Sequence, residues 1–487
     1  MAGTTKEIPT ELGTKDVGKL LRQYAWPAII AQVAASLYNM VDSIYIGHLS
    51  TDAISGLAVT FPLMNLSTAF GTLVGAGAAT MISILLGQKH YHMGNKVLGN
   101  VVSLNIIIGL LFMVVVYSFL DPILYFFGAS EATLTPAKDY ITIILGGNIV
   151  THLYFGLNAA MRSSGSPKKA MMLTIFTVIL NAILDPIFIF GLDMGIKGAA
   201  WATVLAQVAA MIVVLHHFNN QKRAIHFEKG IFRLNWNVAK KSLVIGTGPF
   251  LMNVAACIVT IFINQQLRKY GVVFDNGEWI NDGDSYIGAY GICNRIIFMF
   301  IMICMGLNQG MQPIAGYNYG ARLYSRVKDV FWRTAKLGMM VTTICFLIGM
   351  FMPRLACGIF VNVNDPAGTH LLDIAARGLR LFTIMFPIVG LQMIGTNFFQ
   401  SLGLVKKSIL LSLSRQLLML LPALYLLPML IGTEGVWGLK ATDGVWLSFP
   451  VSDMLSTILT IILLRRLFKK FRNLHDGDSA RSLDGQL

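Results

Sequence analysis

The sequence predicts an all-α polytopic membrane protein with twelve transmembrane helices, arranged as two six-helix lobes related by a parallel repeat. Three observations lead to this fold class. Of the 487 residues, 55% are hydrophobic and 13% are charged, whereas a soluble domain carries about 25% charged residues. Twelve apolar runs are long enough to cross a bilayer. The two halves of the chain also share short loop motifs.

Each predicted span is an apolar run of about 20 residues or more, the length that an α-helix needs to cross a bilayer. The even number places both termini on the same side of the membrane. The first run is too long for a signal sequence, so no cleaved signal peptide is expected. The twelve spans are predicted at 24–46, 56–80, 97–120, 138–160, 170–190, 198–219, 242–266, 286–312, 330–352, 372–400, 406–431 and 443–468.

The basic residues indicate the orientation of these spans. Most of the 38 Lys and Arg residues fall in the two tails or in loops on the side of the termini, and Arg415 is counted among them. The opposite loops hold acidic stretches such as residues 275–284. Short loops rich in Lys and Arg stay in the cytoplasm, so both termini are expected there. The net charge of +14 therefore indicates membrane topology rather than nucleic-acid binding.

Two loop motifs recur at similar spacing in the two halves. The sequence around Gly87 after span 2 resembles that around Gly320 after span 8, and Gly165 after span 4 matches Gly403 after span 10. The offsets of 233 and 238 residues indicate a duplicated six-span unit whose copies share one orientation. The predicted division is a cytoplasmic tail 1–23, a first lobe 24–220, a cytoplasmic linker 221–241, a second lobe 242–468 and a cytoplasmic tail 469–487.

The first candidate functional residue is Asp42, near the middle of span 1. A charged side chain at the bilayer centre costs roughly 2.5–3.5 kcal/mol on insertion scales, so such residues are commonly functional. Tyr38 precedes Asp42 by four residues and shares its helix face. Pro27 of the same span is a hinge candidate, because a proline within a helix removes a backbone hydrogen bond. Pro27 also lies near the start of the predicted span, and this position explains the proline equally well without a hinge function.

A second carboxylate occurs in span 5, where Asp185 follows Asn181 by four residues and precedes a proline. Asn158 in span 4 and Thr203 in span 6 are expected at a similar depth, although each alone is explained as simply by hydrogen bonding between helices. Together with Asp42 they offer the oxygen ligands of a proton or of a hard cation such as Na⁺. Two carboxylates at short range cannot both stay ionised, so one is expected to take up a proton.

The second half offers a polar but largely uncharged set of residues for a substrate cavity. Arg295 in span 8 is expected to pair within the second lobe, with Asp453 as one choice, and the pair could equally be structural. The 25 methionines provide surfaces that adapt to varied ligands, although methionine is also common in membrane helices. The cavity candidates are Gln309, Gln392, Asn397, Met252, Met305 and Arg295.

The sequence lacks common motifs of enzymes and metal sites. The Walker A, HExxH and GxSxG patterns are absent. The five cysteines form no CxxC pair and are expected to be inert, buried side chains. We therefore expect neither catalysis, nor a metal site, nor a cofactor.

Three motifs resemble those of the MATE (multidrug and toxic compound extrusion) family, and the resemblance covers essentially the whole chain. They are Asn39-x-x-Asp42-x-x-Tyr45-Ile46-Gly47 in span 1, Asn181-x-x-x-Asp185-Pro186 in span 5 and a stretch from Gly291 to Ala321 in span 8. One branch of the family, the Vibrio-type exporters, places acidic residues in spans 7 and 10. Here residues 251–266 and 381–400 contain none, so the chain resembles the DinF-like and Mep-type bacterial branch instead.

The resemblance implies the MATE fold of the MOP superfamily, alternating access, and export of amphipathic, often cationic drugs in exchange for H⁺ or Na⁺. It also implies that Asp42, Asn181, Asp185 and Thr203 form the coupling site. The expected setting is the bacterial cytoplasmic (inner) membrane, with drugs and lipid as partners, no nucleic acid, and a functional monomer. Two alternatives stay open. One is a lipid-linked oligosaccharide flippase of the same superfamily, which needs a basic cavity for pyrophosphate, and the other is a sensor or intramembrane enzyme.

Overall fold

The structure, a computed structural model, describes residues 9–47, 49, 51–127, 129–228, 230, 233–275, 278–361, 366–432, 438–472 and 474–477. Within these ranges, the side chains of residues 38–44, 51–55, 58, 132, 272–275, 278–281, 284, 366 and 367 lie outside the description.

Helices form nearly all of the described chain. The first half contains α1 (Glu11–Thr14), α2 (Val17–Gly47), α3 (Thr51–Gly87), α4 (Tyr91–Ser118), α5 (Leu120–Phe126), α6 (Glu131–Gly146), α7 (Asn148–Ser163), α8 (Pro167–Pro186) and α9 (Ile196–Asn219). The second half contains α10 (Trp236–Tyr270), α11 (Gly283–Gly320), α12 (Tyr324–Phe351), α13 (Pro353–Gly358), α14 (Pro366–Thr383), α15 (Phe386–Ser401), α16 (Val405–Leu413), α17 (Leu421–Ile431) and α18 (Ala441–Arg472).

A short antiparallel hairpin interrupts the helices between α10 and α11. Its strands are β1 (Val272–Asp275) and β2 (Glu278–Asn281), and Val272 pairs with Asn281. The sequence prediction treats this stretch only as an acidic loop. The hairpin lies at the end of the bundle opposite the first and last described residues, 9 and 477, and we call this end the distal face. The end that carries those two residues is called the basic face.

The predicted membrane spans are confirmed as helices. Within the described residues, nine helices are long and apolar enough to cross a membrane, and two bent pairs raise the number to eleven. These correspond to predicted spans 2 to 12, while α2 covers predicted span 1. Several helices extend beyond the predicted boundaries, and α11, with 38 residues, is about 57 Å long at 1.5 Å per residue. The chain is therefore an all-α, multi-pass membrane protein.

Backbone geometry repeats in the two halves at the predicted spacing. Lys89 after α3 and Arg322 after α11 both have positive φ angles, of 62° and 60°. Gly165 and Gly403 also share a positive φ, after α7 and α15 respectively. The fourth span of each half is bent, by 54° between α6 and α7 and by 58° between α14 and α15. The fifth span of each half contains a π-helical segment, Ile187–Gly191 after α8 and Ser414–Leu420 after α16.

The two halves meet along glycines near the basic face. A Cβ atom on Gly77 of α3 would overlap the carbonyl oxygen of Ser242 in α10, and one on Gly246 of α10 would overlap that of Leu73 in α3. Such close approach of two backbones is possible only where a side chain is missing on each side. The same helices continue into the hydrophobic core that both halves share. The predicted lobe boundaries, at 220/221 and 241/242, stay predictions.

The linker between the halves is held against the start of α4. Asn95 accepts a hydrogen bond from the His226 backbone N–H (3.0 Å) and donates one to the Glu228 carboxylate (2.5 Å). Asn100 exchanges two backbone hydrogen bonds of 3.1 Å with Asn235, just before α10. Two asparagines of one helix thus hold the linker at residues 226–228 and at Asn235, just before α10.

Candidate functional site

Three of the predicted coupling residues lie together in the first half. The Asn181 side-chain amide of α8 donates to the Asp185 carboxylate and to the Thr203 hydroxyl of α9, each at 3.3 Å. The Thr203 hydroxyl donates in turn to the Ala199 carbonyl (3.0 Å). Asn181 and Asp185 are fully buried, and Thr203 is 6% exposed. Four-residue spacing on α8 places the amide and the carboxylate on one face, which α9 covers.

The local backbone is irregular directly after Asp185. Pro186 ends α8, and because proline has no N–H, the regular hydrogen-bond pattern cannot continue through it. The chain continues as the π-helical turn Ile187–Gly191, a form of helix that is frequent at functional sites. Gly198 of α9 makes room for this turn, since a Cβ there would lie 2.6 Å from the Phe188 carbonyl carbon.

Helix α2 packs along α8 and along α11 of the second half. The side chains of Asp42 and Tyr38 lie outside the described residues, so the predicted pairing of Asp42 with Asp185 stays a prediction. Pro27 lies ten positions after Val17, the first residue of α2, and is thus inside a continuous helix rather than near its start. A Cβ on Gly306 or Gly310 of α11 would lie 2.5 Å from a Cα atom of α2 on either side of this proline.

The arrangement leaves one oxygen open beside the carboxylate. Because the Asn181 amide nitrogen serves Asp185 and Thr203, its carbonyl oxygen points elsewhere, and within the described residues it has no hydrogen-bond partner. A buried amide oxygen next to a carboxylate and a hydroxyl provides ligands for a proton or a hard cation. The unsatisfied oxygen also carries an energetic cost that a bound ion would remove.

Asn158 is separate from this cluster. Its side-chain amide donates to the Ala170 carbonyl (3.2 Å), in the first turn of α8. Fifteen residues separate Ala170 from Asp185, which is about 22 Å along a helix. The expectation of a similar depth is therefore wrong, because α7 crosses α8 near the basic face. Asn158 therefore links α7 to the start of α8.

Asp453 pairs with Arg415 rather than with Arg295. The Arg415 Nε donates to an Asp453 carboxylate oxygen at 2.7 Å, and the Ser452 hydroxyl donates to the Arg415 carbonyl at 2.5 Å. The suggested Arg295–Asp453 pair is wrong, since Arg295 is exposed on α11. The assignment of Arg415 to a loop is also wrong, because its π-helical segment, Ser414–Leu420, lies within the eleventh span and packs on α18.

The other cavity candidates are spread over α10, α11 and α15. Met252, Met305 and Gln309 are partly buried. Gln392 is 4% exposed and donates to Thr396, and the Asn397 amide donates to the Met393 carbonyl (3.1 Å). These two amides thus satisfy groups of their own helix. None of the six candidates lines the cavity between α13 and α14 or the one beside Asp16 and Arg326.

The sequence reasoning missed several charged side chains of the second half. Arg377 of α14 donates to both oxygens of Asp443 in the first turn of α18, and Arg354 of α13 pairs with Asp373. Arg380 lies one turn further along α14. Asp373, Arg377 and Arg380 all fall inside the predicted span 372–400, so their charges are the sequence signal that points to this group.

A polar cluster at the bend of the fourth span was also missed. The Ser67 hydroxyl of α3 donates to the side-chain amide oxygen of Asn148 (2.5 Å) and lies 3.1 Å from His152 Nε2, both on α7. His152 is fully buried, and Gly71 and Gly109 leave the room for its ring. The cluster braces the bend between α6 and α7, which packs on α9 beside Val204.

Comparison with known sequences identifies relatives along most of the chain. The sequence profile of the MatE family matches residues 27–187 and 274–426. The multidrug export protein MepA of Staphylococcus aureus (strain MSSA476) is 26% identical over 451 residues, covering 92% of this chain and 94% of MepA. MepA of Staphylococcus haemolyticus (strain JCSC1435) is 27% identical over 431 residues, covering 88% and 91%.

Solved structures share the fold. The MATE multidrug transporter DinF-BH, solved in complex with a ligand, is 32% identical, covers 93% of this chain and 96% of its own, and gives a TM-score of 0.81. An outward-facing multidrug resistance MATE family transporter of the MOP superfamily gives a TM-score of 0.85 at 20% identity, covering 96% and 99%. The chain therefore belongs to the MATE family of multidrug transporters.

Proposed function

We propose that this protein is a cation-coupled antiporter that exports amphipathic, often cationic compounds by alternating access, with H⁺ or Na⁺ as the coupling ion. The proposal is carried by the buried cluster of Asn181, Asp185 and Thr203, which combines a carboxylate, a hydroxyl and an open amide oxygen within a membrane span. The names of the relatives support the substrate class, since MepA is a multidrug export protein and DinF-BH is a MATE multidrug transporter.

The coupling follows from the cost of charge in the bilayer. A buried carboxylate carries a desolvation cost until a proton or cation neutralises its charge. Ion occupancy therefore favours one arrangement of the helices around α8. Release of the ion on the other side of the membrane removes that preference and resets the site. One charge that moves down about 100 mV provides about 2.3 kcal/mol, enough for roughly a fiftyfold substrate gradient.

The basic face belongs in the cytoplasm in this proposal. Both described chain ends and the basic linker lie at the basic face. Positively charged loops are retained on the cytoplasmic side of a membrane. The protein then resides in the bacterial inner membrane and exports toward the distal face. It needs no cofactor beyond the coupling ion, and a single chain is the functional unit.

The coupling ion is tested with purified protein in proteoliposomes that carry ethidium, a fluorescent amphipathic dye with a permanent positive charge. A pH gradient and a sodium gradient are imposed separately, at matched membrane potential. We expect one of the two gradients to drive ethidium transport against its concentration gradient, and protein-free vesicles to show none. Transport that is equally fast without either gradient would contradict ion coupling, although it would leave membership of the family unaffected.

A further inference from the structure

A cavity of about 460 Å³ opens at the distal end of the second half, between α13 and α14. Its lining residues are Arg354, Asp373, Ala376, Arg377, Arg380 and Leu381. The volume falls within the range of small-molecule sites. A charged side chain in or near the bilayer is costly without a partner. The three arginines around this cavity, at the edge of the membrane, are therefore expected to have partners or a ligand.

Two of the three arginines are neutralised by carboxylates. Arg354 forms an ion pair with Asp373. Arg377 holds Asp443 with its Nε at 2.8 Å and an Nη at 2.5 Å, and Asp443 is only 2% exposed. These pairs join α13 to α14 and α14 to α18, so they position the cavity walls without giving the cavity a net charge.

The first half contains the same two bridges with the signs reversed. Asp121 of α5 pairs with Lys138 of α6 (2.7 Å), as Arg354 of α13 pairs with its partner on α14. Asp139 of α6 pairs with Lys197 of α9 (3.3 Å), as α14 is paired with α18. Because both bridges recur between equivalent helices, they belong to the framework of the repeated unit.

Arg380 has no equivalent in that framework. The corresponding position of the first half, 238 residues earlier, is the neutral Thr142. Within the described part of the chain, the Arg380 guanidinium takes part in no hydrogen bond and no ion pair, and its side chain is exposed to the cavity. The cavity therefore carries one uncompensated positive charge that the fold does not require.

The surface next to the cavity is apolar. Phe351 and Met352 at the end of α12 are 73% and 50% exposed, and Leu355 and Ile359 after them are 65% and 78% exposed. These side chains flank Arg354 along the chain. A ligand that fits both features has an anionic headgroup and a hydrocarbon tail.

We propose that this cavity binds the phosphate headgroup of an anionic membrane lipid in the leaflet at the distal face, with Arg380 as the residue that contacts the phosphate. The guanidinium fork forms two parallel hydrogen bonds to phosphate oxygens. Basic pockets between membrane helices bind lipid headgroups by this chemistry on the cytoplasmic side of membranes, and we infer the same chemistry at the distal face. The exposed side chains of α12 and α13 then contact the acyl chains. In the orientation proposed above, this is the outer leaflet.

The test is native mass spectrometry of the detergent-purified, delipidated protein, titrated with phosphatidylglycerol. We expect the wild type to bind one lipid at least about tenfold more tightly than Arg380→Gln does, because the charged bidentate contact is lost. Arg380→Lys, which keeps the charge without the fork, should fall between the two. Lys197→Gln removes a positive charge from the same face and should bind as the wild type does.

Three results would overturn the proposal. The first is equal binding of phosphatidylglycerol by the wild type and Arg380→Gln. The second is equal binding of diacylglycerol, which has no phosphate. The third is displacement of the lipid by equimolar inorganic phosphate, which would assign the site to a soluble anion. Thermal unfolding of each variant verifies that it is folded, and the measurement does not depend on transport.

Discussion

Asp185 and Asp453 are both buried in the helix bundle, but their described partners differ in charge. Asp185 accepts a hydrogen bond from the neutral amide of Asn181, whereas Asp453 is bound by the Arg415 guanidinium. The charge of Asp453 is compensated by a fixed cation. The pair in the second half therefore acts as a structural link between the eleventh and twelfth spans, and the proposed coupling function stays with the cluster of Asn181, Asp185 and Thr203.

The structural role of the Arg415–Asp453 pair is testable by a double-mutant cycle. Asp453→Leu and Arg415→Met each leave one charged partner unpaired, so each should destabilise the protein by about 3–5 kcal/mol. The double variant Arg415→Met/Asp453→Leu removes both charges and should be more stable than either single variant. Thermal unfolding in detergent measures this, and additive losses in the double variant would disprove a coupled pair.

Thr203 should affect ion binding without changing the fold. Thr203→Val keeps the shape but removes the acceptor for the Asn181 amide, a contact worth about 1 kcal/mol. The ion concentration for half-maximal transport should rise about fivefold by the tenfold-per-1.4-kcal/mol rule. Thr177→Val is the matched control, since its hydroxyl bonds to the Leu173 carbonyl of α8 and to the Tyr154 hydroxyl of α7, both outside the cluster. An equal shift in both variants would exclude a specific role of Thr203.

At the scale of elements, the contact between α3 and α10 depends on missing side chains. A Cβ on Gly246 would overlap a backbone oxygen of α3, and backbone atoms cannot move aside as a side chain can. Gly246→Ala should lower the free energy of unfolding by about 1–3 kcal/mol through overpacking. Gly291→Ala, where a Cβ meets nothing within 4 Å, should leave it unchanged or raise it by about 0.5–1 kcal/mol. Chemical unfolding in detergent compares the two, and equal effects would show that the contact is loose.

The contacts of the linker should make the stability of the protein depend on pH through the Glu228 carboxyl. Burial raises the pKa of this carboxyl, but hydrogen bonds donated by Asn95 and His92 outweigh that effect and hold the pKa below its ordinary value of 4.5. Its contribution to stability is therefore fully present above pH 4.5 and is lost as the pH falls through the lower pKa of the folded state. Melting temperatures between about pH 7 and pH 3.5 should fall less steeply in Glu228→Gln than in the wild type. Identical slopes would contradict this, and Glu131→Gln, exposed on α6, provides the control.

At the scale of the whole molecule, the two halves share a framework but differ in charge. The bends, the positive φ angles and the π-helical segments recur at equivalent places. Within this frame the first half carries a buried aspartate beside a neutral amide, and the second half carries fixed ion pairs and an arginine-lined cavity. Duplication thus provides the architecture, and substitutions at equivalent positions distinguish its copies.

The sequence predicts the spans and the repeat well because both depend on local composition. A run of apolar residues forms a helix in lipid regardless of its neighbours, and Gly87 and Gly320 mark equivalent loops in the two halves. The Asn181–Asp185 contact follows from helical spacing alone. The partners of Asp453 and Asn158 could not be predicted in the same way, because they depend on which helices cross and at what depth. The π-helical register that carries Arg415 into the bundle has no clear sequence signal either.

The central claim is that the carboxylate of Asp185 couples ion movement to export. The most direct measurement is ethidium export in proteoliposomes, under the imposed gradient that drives the wild type, for Asp185→Asn and for the control Asp121→Asn at the distal face. Asp185→Asn should lose uphill export by about tenfold or more, because a side chain that cannot be charged cannot take up the ion. Asp121→Asn should retain export at the wild-type level. Uphill export by Asp185→Asn at the wild-type rate would contradict the account.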